Sequence, residues 1–106
     1  MKITDKMFFK NPLTIKPIHN TMQVSTHPRV FVHTITVEII AENEAHCIIS
    51  FSNEKDKILR MMGVNLKQGT HSICLDDLGT LTSGAYHLEV RSAEGERLYD
   101  IELTKQ

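Results

Sequence analysis

Apolar residues in this chain recur at every second position, the spacing of a half-buried β-strand, and helical periodicity is nowhere sustained. Ile35, Val37 and Ile39 point one way and Thr34, Thr36 and Glu38 the other. Cys47, Ile49 and Phe51 share a face, as do Tyr86, Leu88 and Val90, and then Tyr99, Ile101 and Leu103. The runs predicted as strands are 13–16, 21–25, 30–41, 46–51, 57–62, 70–75, 85–90 and 98–104. Gly63 is read as ending the fifth of these before the short run Val64-Asn65-Leu66. Between the runs lie turn-forming stretches: His19-Asn20, Glu42-Asn43-Glu44, Ser52 to Asp56, Lys67-Gln68-Gly69 and Ser92 to Glu96. Thr26-His27-Pro28-Arg29 reads as a loop, because proline biases the residue before it towards extended backbone. Seven or eight short strands at a spacing of roughly ten residues predict an all-β fold, an antiparallel β-sandwich. Residues 1–12 lack firm periodicity and read as an arm or loose edge segment, leaving 13–106 as one sandwich domain.

The stretch from Leu75 to Val90 joins two of these strands through a polar connection that carries Leu78 and Leu81 and turns at Ser83-Gly84. Its Gly-x-Tyr-x-Leu order resembles the tyrosine corner of immunoglobulin-like sandwiches, in which a tyrosine hydroxyl bonds back to the backbone of the preceding connection. Tyr86 would be that tyrosine. Gly84 would supply a positive φ or room for close backbone approach, and Leu78 and Leu81 would cap the open end of the core.

Length and composition add little that is specific. The 106 residues, 41% hydrophobic and 24% charged, suit one soluble globular domain. No apolar run approaches the ~20 residues of a membrane-spanning helix, and the first residues lack the apolar region of a secretory signal. The net charge of −1 argues against a nucleic-acid partner, which calls for a basic footprint. The charge is unevenly spread: Lys2, Lys6, Lys10, Lys16 and Arg29 face only Asp5 within residues 1–35, and the remainder is acidic. Cys47 and Cys74 fall inside strand runs and read as small buried or half-buried hydrophobes; a bridge between facing strands stays open on sequence alone.

From about Pro17 to Gln106 the order of elements resembles the C-terminal sorting domain of the type IX secretion system, a small β-sandwich. The residues that carry the resemblance are Cys47-Ile48-Ile49-Ser50-Phe51, Ile58-Leu59-Arg60, Leu66 to Ile73, the ending Ile101 to Gln106 and, most specifically, Leu81-Thr82-Ser83-Gly84-Ala85-Tyr86-His87-Leu88-Glu89-Val90. The chain departs from that pattern where Glu54-Lys55-Asp56 replaces a turn glycine, and its opening Pro-Asn-Pro is met only in part by Asn11-Pro12 or Pro17-Ile18-His19-Asn20. The resemblance implies a noncatalytic sorting or attachment module, read by a protein of the secretion machinery and destined for the periplasm, cell surface or medium. The recognition signal would lie on outward residues of the final strand and on Thr104, Lys105 and Gln106. The competing expectation is a free-standing protein-binding immunoglobulin-like module that works through an exposed strand edge or its loops.

Chemistry of other kinds is poorly supported. His19, His27, His33, His46, His71 and His87 show no metal-site spacing, and there is no Cys-x-x-Cys. Neighbouring Asp76 and Asp77 would face opposite ways in a strand and read as turn chemistry. Met61-Met62 reads as core filler. No nucleophile elbow or phosphate loop is present. The expectation is therefore no enzyme activity, no cofactor and no metal, with a small hydrolase as a third, weaker reading.

Overall fold

A computed structural model describes residues 22–106. The predicted arm over 1–12 and the strand at 13–16 lie outside the described residues, as do the turn at His19-Asn20 and the residue Thr21. The described chain forms eight strands: β1 (Met22–His27), β2 (Val30–Phe31), β3 (Ile35–Ala41), β4 (Ala45–Asn53), β5 (Ile58–Leu66), β6 (Gly69–Leu75), β7 (Gly84–Ser92) and β8 (Arg97–Lys105). They make a three-stranded sheet, β1-β3-β6, and a five-stranded sheet, β2-β8-β7-β4-β5. All pairings are antiparallel except that of β2 with β8, which is parallel. The two sheets form an immunoglobulin-like β-sandwich.

Alternation generates the core directly. Ile35, Val37 and Ile39 of β3 and Leu75 of β6 face Cys47, Ile49 and Phe51 of β4, Leu88 and Val90 of β7, and Leu103 of β8, in one buried cluster. A one-residue slip of any strand would turn its buried set to solvent, so burial also fixes register.

Two elements differ from the sequence expectation. The predicted strand 30–41 is two strands in different sheets, separated by a bend at Val32-His33. Phe31 and Ile35 are both fully buried and in phase, so alternation carries no sign of the break. The divider is long-range pairing: the Thr104 N–H donates to the Arg29 carbonyl and the Gln106 N–H to the Phe31 carbonyl, both at 2.9 Å, which draws β2 to the larger sheet. Gly63 ends nothing. It lies within β5 opposite Ile48, in an edge strand where a residue without a side chain leaves the ladder intact. The missing turn glycine of the resemblance has a substitute in Asp56, which takes the left-handed conformation at φ 64°. The Asn53 side chain caps that turn by accepting the N–H groups of Lys55 and Lys57 at 2.9 and 3.0 Å.

Candidate functional site

The corner combines one local hydrogen bond with contacts that reach far along the chain. After β6 the chain crosses the end of the sandwich, where the Leu78 N–H donates to the His33 carbonyl at 3.0 Å and the Leu81 N–H to the Leu78 carbonyl at 3.2 Å. Leu78 is fully buried and Leu81 packs half-buried against the core. Gly79 approaches His33 so closely that a Cβ there would stand 2.7 Å from its Nδ1. Gly84 opens β7 at φ +143°, a conformation that side chains disfavour. The Tyr86 hydroxyl then donates to the Thr82 carbonyl at 2.7 Å. Its ring stacks on Phe51 at a centroid distance of 5.4 Å, and Phe31 meets both rings edge-on at 5.9 and 6.0 Å. The corner thus joins the connection, β7, β4 and β2 around three aromatic rings.

The proposed recognition residues sit beside the corner, where Lys105 pairs with Gly84 and Thr104 with Ala85. Thr104 and Gln106 are exposed. Lys105 is buried, at 6% exposure, because its position is in phase with Leu103, and its Nζ donates to the Gln106 carbonyl at 3.1 Å. The end of β8 is not a bare edge, since β2 covers Thr104 and Lys105. It therefore presents side chains on a finished sheet and not unpaired backbone.

The outward face of the larger sheet carries most of the remaining polar groups. Glu89 accepts bonds from Arg91 Nε at 2.8 Å and Nη2 at 3.2 Å and from Arg97 Nε at 2.8 Å. The Arg91 hydrogen bond, more than the charges of Arg91 and Arg97, holds the Glu89 carboxyl below its ordinary value, against a smaller opposing effect of burial. A carboxylate so paired is a strut between β7 and β8 and a poor proton acceptor. Ser52, His87 and Glu102 lie in one cross-strand row, yet no hydrogen bond joins them. A nucleophile needs its base within hydrogen-bond reach, so this row is not an assembled triad. A shallow cleft of about 260 Å³ beside it is lined by Ser50, His87, Glu89 and Asp100 among others. Among the described residues no three His, Cys, Asp or Glu side chains converge in a way that could hold a metal. His46 pairs through Nδ1 with the Asn65 side chain, and His71 Nε2 bonds the Lys67 carbonyl at 2.7 Å. Asp76 and Asp77 lie in the β6–β7 connection, where their carbonyls face Arg60.

The cysteines are unpaired and in different sheets: Cys47 is buried in β4, whereas Cys74 faces solvent on β6 beside Ser72. Cys74 is thus not the buried or half-buried hydrophobe expected, because Ile73 and Leu75 take the inward phase of that strand. Burial pushes the Cys47 thiol up.

The feature that residue patterns left unlocated is the edge strand β5. Among the described residues it pairs only with β4, and it leaves Ile58 and Met61 exposed at 50% and 58%. Turn signals showed where strands end, but only the sheet order shows which strand lacks a neighbour.

No family model matches the chain, and no curated protein is similar to it at a significant level. Among solved structures, β-glucosidase from Listeria innocua in complex with isofagomine is similar over 79% of this chain, with 11% identity and a TM-score of 0.55. A mutant of that enzyme in complex with laminaribiose gives 12% identity over 80% of this chain and a TM-score of 0.49. The chain spans 16% of each of those enzymes. At that identity the first likeness shows a shared sandwich fold alone. Among the described residues no helix is long and apolar enough to cross a membrane.

Proposed function

We propose that this chain is a noncatalytic attachment module of the sorting-domain kind, engaged as a folded unit by a protein partner of the type IX export machinery. One observation carries the reading beyond resemblance: the end of β8 is held between β7 and β2, with Thr104 and Gln106 turned to solvent. Buried Lys105 positions that end and leaves the recognition to its two neighbours. A signal mounted on a completed sheet suits recognition after folding, because the strand backbone that carries it is already ordered and only side chains remain to be fixed on binding.

The test fuses residues 17–106 behind a signal peptide and a reporter, in a host that possesses the type IX machinery. The intact fusion should reach the cell surface or medium, and removal of Thr104-Lys105-Gln106 should hold it in the periplasm. Removal also strips β2 of its pairing, so Thr104→Glu combined with Gln106→Glu, which leaves every backbone bond in place, provides the surface-only variant. A periplasmic intact fusion beside an exported control domain would defeat the proposal. The β5 edge, uncovered among the described residues, favours a second reading, a free-standing module that binds protein by strand addition and has no link to export.

A further inference from the structure

We infer that the edge of β5, which no strand among the described residues covers, pairs antiparallel with β5 of a second copy, about a two-fold axis at Met62, joining two five-stranded sheets into one. The inference rests on the second reading, strand addition at β5, and names the occupant; it is independent of export.

The edges of the sandwich are not equal. On the larger sheet, β2 closes one side with only two residues. Among the described residues the smaller sheet is bounded by β1 and β6, whose outward residues are Gln23, Ser25 and His27 on one and Thr70, Ser72 and Cys74 on the other. Natural sheets protect their edges with charge, proline, bulges or brevity. β5 is nine residues long and has no proline, and its one charged residue, Arg60, which reaches inward to the carbonyls of Asp76 and Asp77 at 3.4 Å each, guards only the end of the strand beside the bulge. Its single bulge lies at one end, where Leu59 is extra between the pairs Phe51 with Arg60 and Ser52 with Ile58. From Met61 to Val64 the strand is regular, uncharged and apolar: Met61 projects outward, Met62 and Val64 are half-buried, and Ile48 lies exposed behind Gly63.

The occupant follows from shape. A two-fold axis perpendicular to the sheet places outward residues opposite outward residues, as register demands. Centred on Met62, it sets Met61 against Gly63 of the second copy, and Gly63 against that copy's Met61. The position of a Cβ on Gly63 has nothing within 4 Å, so an open slot stands there with Ile48 on its far side. One thioether side chain fills that slot and covers Ile48, twice, by symmetry. Met62 meets its own copy on the inward side, and Val64 meets the stem of Arg60. Centring on Gly63 instead would oppose Met61 to Asn65 and leave glycine facing glycine. The largest exposed side chain of the strand and its only missing side chain thus complement each other two residues apart, as an isologous contact requires.

One strand pair with its flanking side chains buries less than the ~1,200 Å² of a standard interface, so the dimer should be a reversible micromolar one. Sedimentation velocity on the full chain at rising concentration should show a monomer–dimer equilibrium. Met61→Lys and Gly63→Val should each abolish the dimer while circular dichroism and the urea midpoint show an intact fold, since both positions are exposed and extended. Register is read by Met61→Cys with Gly63→Cys in a Cys74→Ser background. Directly opposed residues of an antiparallel pair have Cα atoms about 4.5–5.5 Å apart, within reach of a disulfide. Mild oxidation should therefore link position 61 of one copy to position 63 of the other. A monomer at all concentrations, a dimer untouched by both single variants, or links at other positions would overturn the inference. A monomer that still binds an extended peptide at β5 would also overturn it, while leaving the strand-addition reading intact.

Discussion

Replacing Tyr86 by phenylalanine isolates the hydroxyl of the corner from the ring that carries it. The ring's stack on Phe51 and its edge contact with Phe31 survive, because the substitution leaves their geometry unchanged. What is lost is the bond to the Thr82 carbonyl at 2.7 Å and the weaker 3.3 Å contact with the Thr82 hydroxyl. A neutral hydrogen bond contributes about 1 kcal/mol net. Thr82 is exposed, so water can replace the lost donor at its carbonyl, and the full penalty of a buried orphan does not apply. The expected destabilisation is about 1 kcal/mol. With a urea m-value of about 2 kcal/mol/M, the midpoint should fall by about 0.5 M at constant slope. Gly84→Val tests the same corner through the backbone: it forces a β-branched residue to φ +143°, at a cost of about 1–3 kcal/mol. An added Cβ meets only Glu54 Oε1 at 3.7 Å, an ordinary contact, so strain and not collision would be the cause. Urea midpoints for both variants equal to that of the parent chain would refute this account of the corner.

Thiol accessibility gives a second prediction: Cys74 should react with a thiol reagent in the native protein, and Cys47 only at the rate of unfolding, because it is buried and its thiol is pushed up; equal native rates would contradict the assigned phases of β4 and β6. A third concerns acid. The Glu89 carboxyl is held below its ordinary value of 4.5, chiefly by the Arg91 hydrogen bond, so its contribution is present above that value and is lost as pH falls through the lowered one. Glu89→Gln should cost roughly 0.5–1 kcal/mol near neutral pH for this partly exposed pair, and nothing once both chains are fully protonated; a stability difference constant from neutral to strongly acid solution would exclude the linkage.

What the sequence showed was phase, and what it hid was partnership. The inward sets of β3, β4, β7 and β8 follow from alternation alone, because one buried face imposes period two. The outward position of Cys74 follows from the same rule once Ile73 and Leu75 are placed inward, so that signal was available. The corner's hydrogen bond was legible because it is local: the Tyr86 hydroxyl reaches back only to Thr82. The division of 30–41 into β2 and β3 depends on backbone groups of Arg29 and Phe31 meeting Thr104 and Gln106, far along the chain, and no local propensity records such a meeting. The burial of Lys105 was legible by phase from Leu103, but its charge argued the other way. The exposed state of β5 is a property of sheet order, which is why Met61 and Gly63 read separately as core filler and as a break.

The two proposed surfaces lie on opposite margins of one sheet, and this decides whether they compete. From β8 to β5 the order is β8-β7-β4-β5, three strand spacings, or about 14 Å. A second copy on β5 therefore stays clear of Thr104 and Gln106. Thr104 pairs with Ala85, on the same outward face as Met61. Because the two-fold axis is perpendicular to the sheet, both copies keep that face on the same side. Seven spacings then separate the two β8 strands, about 34 Å measured across a flat sheet and less after twist. A dimer would thus display two identical recognition strands to one surface, converting the second attachment into an intramolecular event whose strength depends on spacing more than on any new contact. Weak self-association and weak recognition would reinforce each other only when the partner is itself arrayed. Met61→Lys removes the first without touching the second.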